Sequence, residues 1–258
     1  MSSKKRTIID QLIARSVRHN ELLIPRSSVE GLFSKHCVLL GILNDNDEHP
    51  ISIPGSATLL KYKNRFFLVC TRHQLSGFEI KNVCLMLPAG GQLNCITSAG
   101  AIWSPNEFND SDISDIAVFD FTESCAALPE LRSQFLDFRE QHPTVLADMV
   151  VVFIAYGYPI DGREYAPTHI DSKKYHILCR YEGGSSDDAH HSITPIKPLE
   201  FEADGLSGGP AFCVLYDDAG FSIHLSGIIA RGSKTRLMLI KSGAIQMMLE
   251  EFIRRRPA

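Results

Sequence analysis

Short β-like segments, separated by turn residues, recur along most of this chain in two blocks. The first block, residues 37–124, contains CVLLGIL, SATLLKYK, RFFLVCT, KNVCLMLP, QLNCITSAGAIW and IAVFDF. The second block, residues 148–258, contains MVVVFIAYGYP, KYHILCRYE, SITPIKP, PAFCVLY, FSIHLSGIIA and RLMLIK. Short strands with regular turns are typical of antiparallel sheets that close into barrels or pack as sandwiches. The sequence therefore predicts an all-β protein with two β units.

Helical periodicity is strongest at the two ends of the chain. Within residues 1–36, apolar residues recur at helical spacing from 7 to 19. This spacing predicts an amphipathic helix over residues 7–19, followed by a connector. The second block closes on SGAIQMMLEEFIRRR, whose periodicity predicts a C-terminal helix. Residues 125–147 have weak helical spacing and two prolines, so we expect them to connect the two β units.

Composition excludes several functional classes. A net charge of −4 gives no basic footprint for nucleic acid, and the longest apolar run, at 149–160, is too short to span a bilayer. The start of the chain has no signal-peptide core. The seven cysteines show no metal-like spacing, so we expect free thiols, a cytoplasmic protein, and neither a metal nor another cofactor.

The stretch DGLSGGPAF, residues 204–212, surrounds Ser207 with three glycines. Glycine costs roughly 0.5–1 kcal/mol against alanine in regular structure, so three together need a reason. One interpretation is a tight turn between two strands. The other is a backbone that something must approach closely. If the hydroxyl of Ser207 is a nucleophile, it needs a histidine as base and an acid to orient that histidine.

Two residues of the first block fit those roles. His73 ends the apolar strand RFFLVCT and begins the turn TRHQLSG, although a histidine at the end of a strand is more often structural. Asp115 directly precedes the apolar segment IAVFDF, where its carboxylate could accept a hydrogen bond from a histidine. The two residues lie in the first block and Ser207 in the second, so a cleft between the two β units would collect all three.

The motifs FFLVCTRHQL, SDIAV and GLSGGP, in this order, resemble those of the chymotrypsin/trypsin-like serine proteases, in their bacterial-type, unprocessed form. The resemblance covers about residues 37 to 253. It implies two antiparallel six-stranded β-barrels of chymotrypsin type, followed by the C-terminal helix. It further implies that Ser207 attacks a peptide carbonyl, that His73 is the base, and that Asp115 orients it. The backbone N–H groups of Gly205 and Ser207 would form the oxyanion hole.

The resemblance also identifies departures and a candidate substrate pocket. Gln74 stands where many secreted members have a cysteine, and Leu206 where zymogen-type members have an aspartate, so activation by cleavage is not expected. Phe201 and Glu202 would lie near the base of the pocket. Glu202 either favours a basic substrate side chain or is a solvated carboxylate at the rim. The strand that would bind the substrate backbone contributes Ala230, Arg231 and Gly232.

Three other functions remain open from the sequence. GLSGG also fits the pattern of α/β-hydrolases, but Pro210 and a β-rich segment follow where that fold needs a helix. A protease-like scaffold could bind peptides without cutting them. A protease could also be switched on by a regulatory protein that contacts the N-terminal segment or residues 125–147. The partners expected are a peptide or protein substrate and, for a switched protease, that regulator, with no nucleic acid and no membrane.

Overall fold

The computed structural model describes residues 15–89, 92–103, 115–139, 147–166, 169–184 and 189–256. The strands of its N-terminal half are β1 (Ser16–His19), β2 (Leu22–Pro25), β3 (Cys37–Leu43), β4 (Ile51–Tyr62), β5 (Arg65–Thr71), β6 (Val83–Ala89), β7 (Gln92–Thr97), β8 (Gly100–Trp103), β9 (Ile116–Asp120) and β10 (Leu136–Asp137). The strands of the C-terminal half are β11 (Val150–Gly157), β12 (Glu164–Ala166), β13 (His169–Asp171), β14 (Tyr175–Gly184), β15 (His190–Pro195), β16 (Pro210–Asp217), β17 (Gly220–Gly232) and β18 (Leu237–Lys241). The helices are α1 (Val29–Ser34), α2 (Thr122–Ala127) and α3 (Ser242–Arg255). The strongly β character predicted from the sequence is confirmed.

The first β unit is a curled sheet of seven strands in the order β7-β6-β3-β4-β5-β9-β8, which we call the half-barrel. The closed six-stranded barrel expected here is matched in part, by a curled half-barrel with a seventh strand. The segment QLNCITSAGAIW breaks at residues 98–99 and forms two strands that lie at opposite edges of the sheet. Ala99 turns the chain away from β7 by donating its N–H to the carbonyl of Asp120 at 2.9 Å. The chain itself therefore joins the two edges, and the described residues form no hydrogen-bonded ladder between them.

The second β unit is a closed antiparallel barrel of six strands, β16-β11-β14-β15-β18-β17, as the resemblance implied. The hairpin of β16 and β17 closes the ring, because β16 pairs with β11 on its other side. Together, the closed barrel and the half-barrel are compatible with a chymotrypsin-like fold.

The N-terminal segment joins the closed barrel as strand rather than helix. The predicted helix over residues 7–19 was wrong for its last turn, because Ser16–His19 is β1, and residues 7–14 lie outside the described part of the chain. Strand β1 forms a hairpin with β2 and adds in parallel to β17, with Arg18 opposite Ser222. Val17 is 5% exposed and packs in the core, and this burial favours the strand.

The C-terminal segment and the connector between the two β units were also predicted from the sequence. The predicted C-terminal helix is confirmed as α3. Within the predicted connector, residues 125–147, the end of α2 is followed by a 3-10 turn, Pro129–Gln134, and by β10, which pairs in parallel with β4. Residues 140–146 lie outside the described part of the chain.

Three apolar cores hold the fold together. One lies inside the half-barrel and includes Phe119, and a second lies inside the closed barrel and includes Phe153. The third lies between the two units and under α3, where Phe67 and Phe252 meet edge to face at 5.4 Å. The seam between the units is therefore an apolar interface that sets one unit against the other. Among the described residues, no helix combines the length and the apolar character needed to cross a membrane.

Candidate active site

His73 is held at the end of a buried strand. Six of the seven residues of β5 are buried, and the strand ends at Thr71 in a 3-10 turn, Arg72–Leu75. The pattern T-x-x-Q from Thr71 to Gln74 forms a capping box, which defines how the chain enters this turn. The side chain of His73 projects from the turn and is 52% exposed.

Asp115 lies beside His73 because their strands are neighbours. Strand β9 pairs with β5, and its first residue, Ile116, is opposite Thr71. The carboxylate of Asp115 accepts two hydrogen bonds from His73: from the backbone N–H at 2.8 Å, and from Nδ1 at 2.7 Å. An ionised carboxylate can only accept, so Nδ1 carries the proton, and Nε2 of a neutral imidazole is then free to accept one.

Ser207 lies in the turn before β16, residues 204–209, which we call the serine loop. Gly205 and Gly208 have φ angles of +88° and +81°, a region that side chains rarely allow. A Cβ on Gly205 would lie 2.6 Å from the carbonyl oxygen of Tyr158, and one on Gly208 would lie 2.2 Å from that of Ser56. The glycines around Ser207 therefore serve both a left-handed backbone and a close approach.

The serine loop is docked on the half-barrel through strand β4. The hydroxyl of Ser56 donates to the carbonyl of Gly205, and that of Thr58 to the carbonyl of Gly208, each at 2.7 Å. The N–H of Ser56 donates to the carbonyl of Ser207 at 3.1 Å. Both hydroxyl residues are fully buried. The sequence analysis missed them, and its available signal was two hydroxyl side chains within the apolar segment SATLL.

The hydroxyl of Ser207 forms its hydrogen bond within the closed barrel. Its Oγ donates to the carbonyl of Ala230 in β17 at 2.9 Å. The structure thus brings His73 and Asp115 into direct contact and sets the serine loop against the half-barrel. The hydroxyl itself is directed to Ala230.

Two backbone N–H groups of the serine loop have fixed directions. The carbonyl of Asp204, in the same peptide group as the N–H of Gly205, accepts a hydrogen bond from the N–H of Ile160 at 2.8 Å. The carbonyl of Leu206, in the same peptide group as the N–H of Ser207, accepts one from the N–H of Gly209 at 3.0 Å. In a trans peptide the N–H points away from the carbonyl, so these bonds also orient the two donors. Within the described part of the chain, no carbonyl accepts a hydrogen bond from either N–H.

The residues of the candidate pocket lie around the serine loop. The ring of Phe201 packs against Tyr175, with centroids 4.4 Å apart. Glu202 is exposed and pairs with Lys234 at 2.9 Å. At the end of β17, Ala230 is buried, whereas Arg231 and Gly232 are exposed. A separate cleft of about 510 Å³ adjoins His73 and Asp115, and its apolar lining residues are Leu75, Phe78, Ile80 and Trp103.

The thiols of the chain do not offer a competing nucleophile. All seven cysteines are free, and six of them are buried. Burial is the main cause that raises the pKa of each thiol above its ordinary value. The thiolate is the nucleophilic form, and a raised pKa keeps these groups as neutral thiols, so they behave as small apolar side chains.

The sequence was compared with protein-family models and with curated proteins. No family model matches the chain, and no curated protein matches its sequence. Among the described residues, no group of three or more His, Cys, Asp or Glu side chains is arranged to hold a metal ion.

Proposed function

We propose that this chain is a serine endopeptidase that hydrolyses peptide bonds through Ser207, His73 and Asp115. The observation that carries the proposal is the contact between the imidazole and the carboxylate, with His73 Nδ1 2.7 Å from Asp115 Oδ2. That contact fixes the tautomer in which Nε2 can take a proton. A second bond, from the backbone N–H of His73 to the same carboxylate, holds Asp115 in place beside the imidazole.

The proposed reaction begins with a rotation of the serine side chain. The hydroxyl leaves the carbonyl of Ala230 by a change of χ1 and donates to Nε2 of His73. Catalytic hydrogen bonds are often long or misdirected before substrate binds, so the resting bond is compatible with this role. As Oγ forms a bond to the substrate carbonyl carbon, its proton passes to Nε2. Asp115 stabilises the imidazolium that results.

The second half of the reaction returns the proton. The imidazolium of His73 donates it to the leaving amine as the peptide C–N bond breaks, which leaves an acyl group on Ser207. Water then attacks this ester and gives a proton to His73, and the ester C–O bond breaks as the imidazolium returns that proton to Ser207 Oγ, which releases the carboxylic acid. The N–H groups of Gly205 and Ser207 would stabilise the oxyanion in both steps, and loss of one such donor typically costs about 100- to 1000-fold in rate.

A fluorophosphonate probe tests the proposal directly. The wild-type protein should be labelled at Ser207, and Ser207→Ala should not be labelled. Ser76→Ala is the matched control, because this exposed hydroxyl follows the His73 turn but lies outside the serine loop. Failure of the wild-type protein to label, both alone and with cell extract added, would refute the proposal.

A peptide-binding scaffold, or a protease that a partner switches on, is the second candidate. It is favoured by the hydrogen bond from Ser207 Oγ to Ala230, which holds the hydroxyl away from the base. A switched enzyme labels only when extract supplies the partner, whereas a scaffold binds peptides and never labels. The seven free thiols support a reducing compartment, and we propose a cytoplasmic location on that basis.

A further inference from the structure

Gln74, the residue after His73, connects three parts of the site. Its side-chain oxygen accepts hydrogen bonds from the N–H and the hydroxyl of Thr71, at 3.0 and 2.8 Å. Its side-chain nitrogen donates to the carbonyls of Ser207 and Ser56, at 2.9 and 3.2 Å. One amide therefore ties the histidine turn, strand β4 and the serine loop together.

The orientation of this amide follows from its partners. The N–H of Thr71 can only donate and the two carbonyls can only accept, so only one placement of the side-chain oxygen and nitrogen fits all three partners. Both N–H groups and both lone pairs of Gln74 are used. The side chain is 6% exposed, so each of these groups would otherwise be buried without a partner.

The chain leaves just enough space for this amide. A Cβ on Gly55 would lie 2.4 Å from Nε2 of Gln74, and a Cβ on Gly208 would lie 3.0 Å from its Oε1. Two glycines thus lie against the amide, one in β4 and one in the serine loop. The amide is held by packing as well as by hydrogen bonds.

We infer that Gln74 is a positioning residue that sets the base against the nucleophile, an inference that rests on the proposed protease activity. His73 and Gln74 are consecutive in a short turn. One side chain is bonded to Asp115 and the other to the carbonyl of Ser207. A shift of the serine loop relative to the imidazole must therefore break a hydrogen bond of Gln74. A misplacement of about 1 Å can cost roughly 100-fold in rate.

The test replaces Gln74 by methionine, which is similar in length but has no donor. We expect Gln74→Met to lower kcat and the rate of probe labelling by about 10- to 100-fold, with KM within about threefold of wild type, because binding is less sensitive to this geometry than proton transfer. Hydrogen exchange should accelerate at Gly208 and Gly209, whose N–H groups are bonded to Ile229 and Leu206.

Ile42→Val is the matched control for a loss of stability alone. Ile42 is buried in the half-barrel core, and we expect its variant to keep wild-type kcat and wild-type exchange in the serine loop. If Gln74→Met does not fold, Thr71→Val removes one partner of the amide and should shift the same measurements in the same direction by less.

The outcomes separate this inference from the proposed function. If the wild type is active and Gln74→Met behaves like Ile42→Val, the inference is wrong and the protease proposal stands. If the wild type is never labelled, the protease proposal is wrong. The hydrogen-exchange rates of the serine loop in wild type and Gln74→Met then show by themselves whether Gln74 holds the loop. Unchanged exchange in Gln74→Met overturns the inference in either case.

Discussion

The two β units differ in how they close, and they make different contributions to the candidate site. The closed barrel is a continuous ring of hydrogen-bonded strands, and it carries the serine loop at the start of β16. The half-barrel has two edge strands, and it carries His73 and Asp115 on the adjacent strands β5 and β9. The serine loop thus belongs to the closed unit and is also bonded to β4 of the half-barrel, whereas both paired side chains come from the half-barrel.

This difference shows what each kind of chemistry needs from its scaffold. Oriented N–H groups depend on a backbone that cannot move, and a serine loop bonded to β17 and β4 meets that need. An imidazole and a carboxylate need only two neighbouring strands in register, which an open sheet provides equally well. Neither unit holds the complete site, so its geometry depends on the apolar seam between them.

The largest expected effect tests whether both units supply chemistry. Ser207→Ala in the closed barrel should lower kcat by about a millionfold, because no other group can form the acyl enzyme. Asp115→Asn in the half-barrel should cost about ten-thousandfold, because the amide favours the wrong tautomer of His73. Peptide-substrate kinetics measure both, with far-UV circular dichroism to verify folding. Equal, small losses in the two variants would mean that the site does not span the units.

Core substitutions compare the rigidity of the two units. Phe119 and Phe153 are both fully buried, one in each core. Replacing either by alanine should lower the free energy of unfolding by about 3–5 kcal/mol. The larger loss is expected for Phe153→Ala, because a closed ring of strands collapses less readily around a cavity. Urea denaturation measures this, and a clearly larger loss for Phe119→Ala would contradict the comparison.

Low pH should reduce the free energy of unfolding through His36, which lies just before β3 of the half-barrel. Burial lowers the pKa of His36 to about 4, against a smaller opposing effect of its hydrogen bond to the carbonyl of Gln134. Above pH 6.5 the residue is neutral in both states. As pH falls from about 6.5 to 4, the unfolded chain takes up a proton that the folded chain does not, so stability falls by about 3 kcal/mol.

The variant His36→Gln isolates this contribution, because an amide can keep the bond to Gln134 without titrating. Its free energy of unfolding should fall less than that of the wild type between pH 7 and 4. His49→Gln is the control, since His49 is exposed. Burial also lowers the pKa of His191 in the closed barrel to about 4, so a glutamine variant of that residue should show a difference of similar size. Identical acid profiles for wild type and His36→Gln would contradict the assignment.

The smallest effect is expected at Glu202, near the serine loop. Its pairing with Lys234 is exposed on both sides, and solvent strongly screens such pairs. Glu202→Gln should therefore change kcat/KM by less than about twofold, for substrates with basic and with apolar side chains before the cleaved bond alike. Lys234→Gln is the matched control. A selective tenfold loss for basic substrates would instead place Glu202 in the pocket.

Much of the local structure was readable from the chain. Five short strands, β1, β2, β10, β12 and β13, were not predicted. Alternating and apolar segments identified the main strands of both β units, and helical periodicity identified α3, because these patterns reflect local burial. The segment QLNCITSAGAIW was the exception, since nothing in it indicates that its two halves occupy opposite edges of a sheet. The last turn of the predicted N-terminal helix was wrong for a similar reason: Val17 fits either a helix or a strand, and β17 provides a partner strand 204 residues away from His19.

Residue type and order along the chain were enough to nominate His73, Asp115 and Ser207, because a strand end, an abutting carboxylate and a glycine cluster are local signals. Folding in three dimensions added the contact between His73 and Asp115 and the bonds that set the serine loop against the half-barrel. The register of β5 and β9 puts Asp115 against His73. The fully buried hydroxyls of β4 and the amide of Gln74 bond to a loop that lies 133 to 150 residues further along the chain. A hydrogen bond to a distant carbonyl depends on where that carbonyl comes to lie, which local composition does not encode.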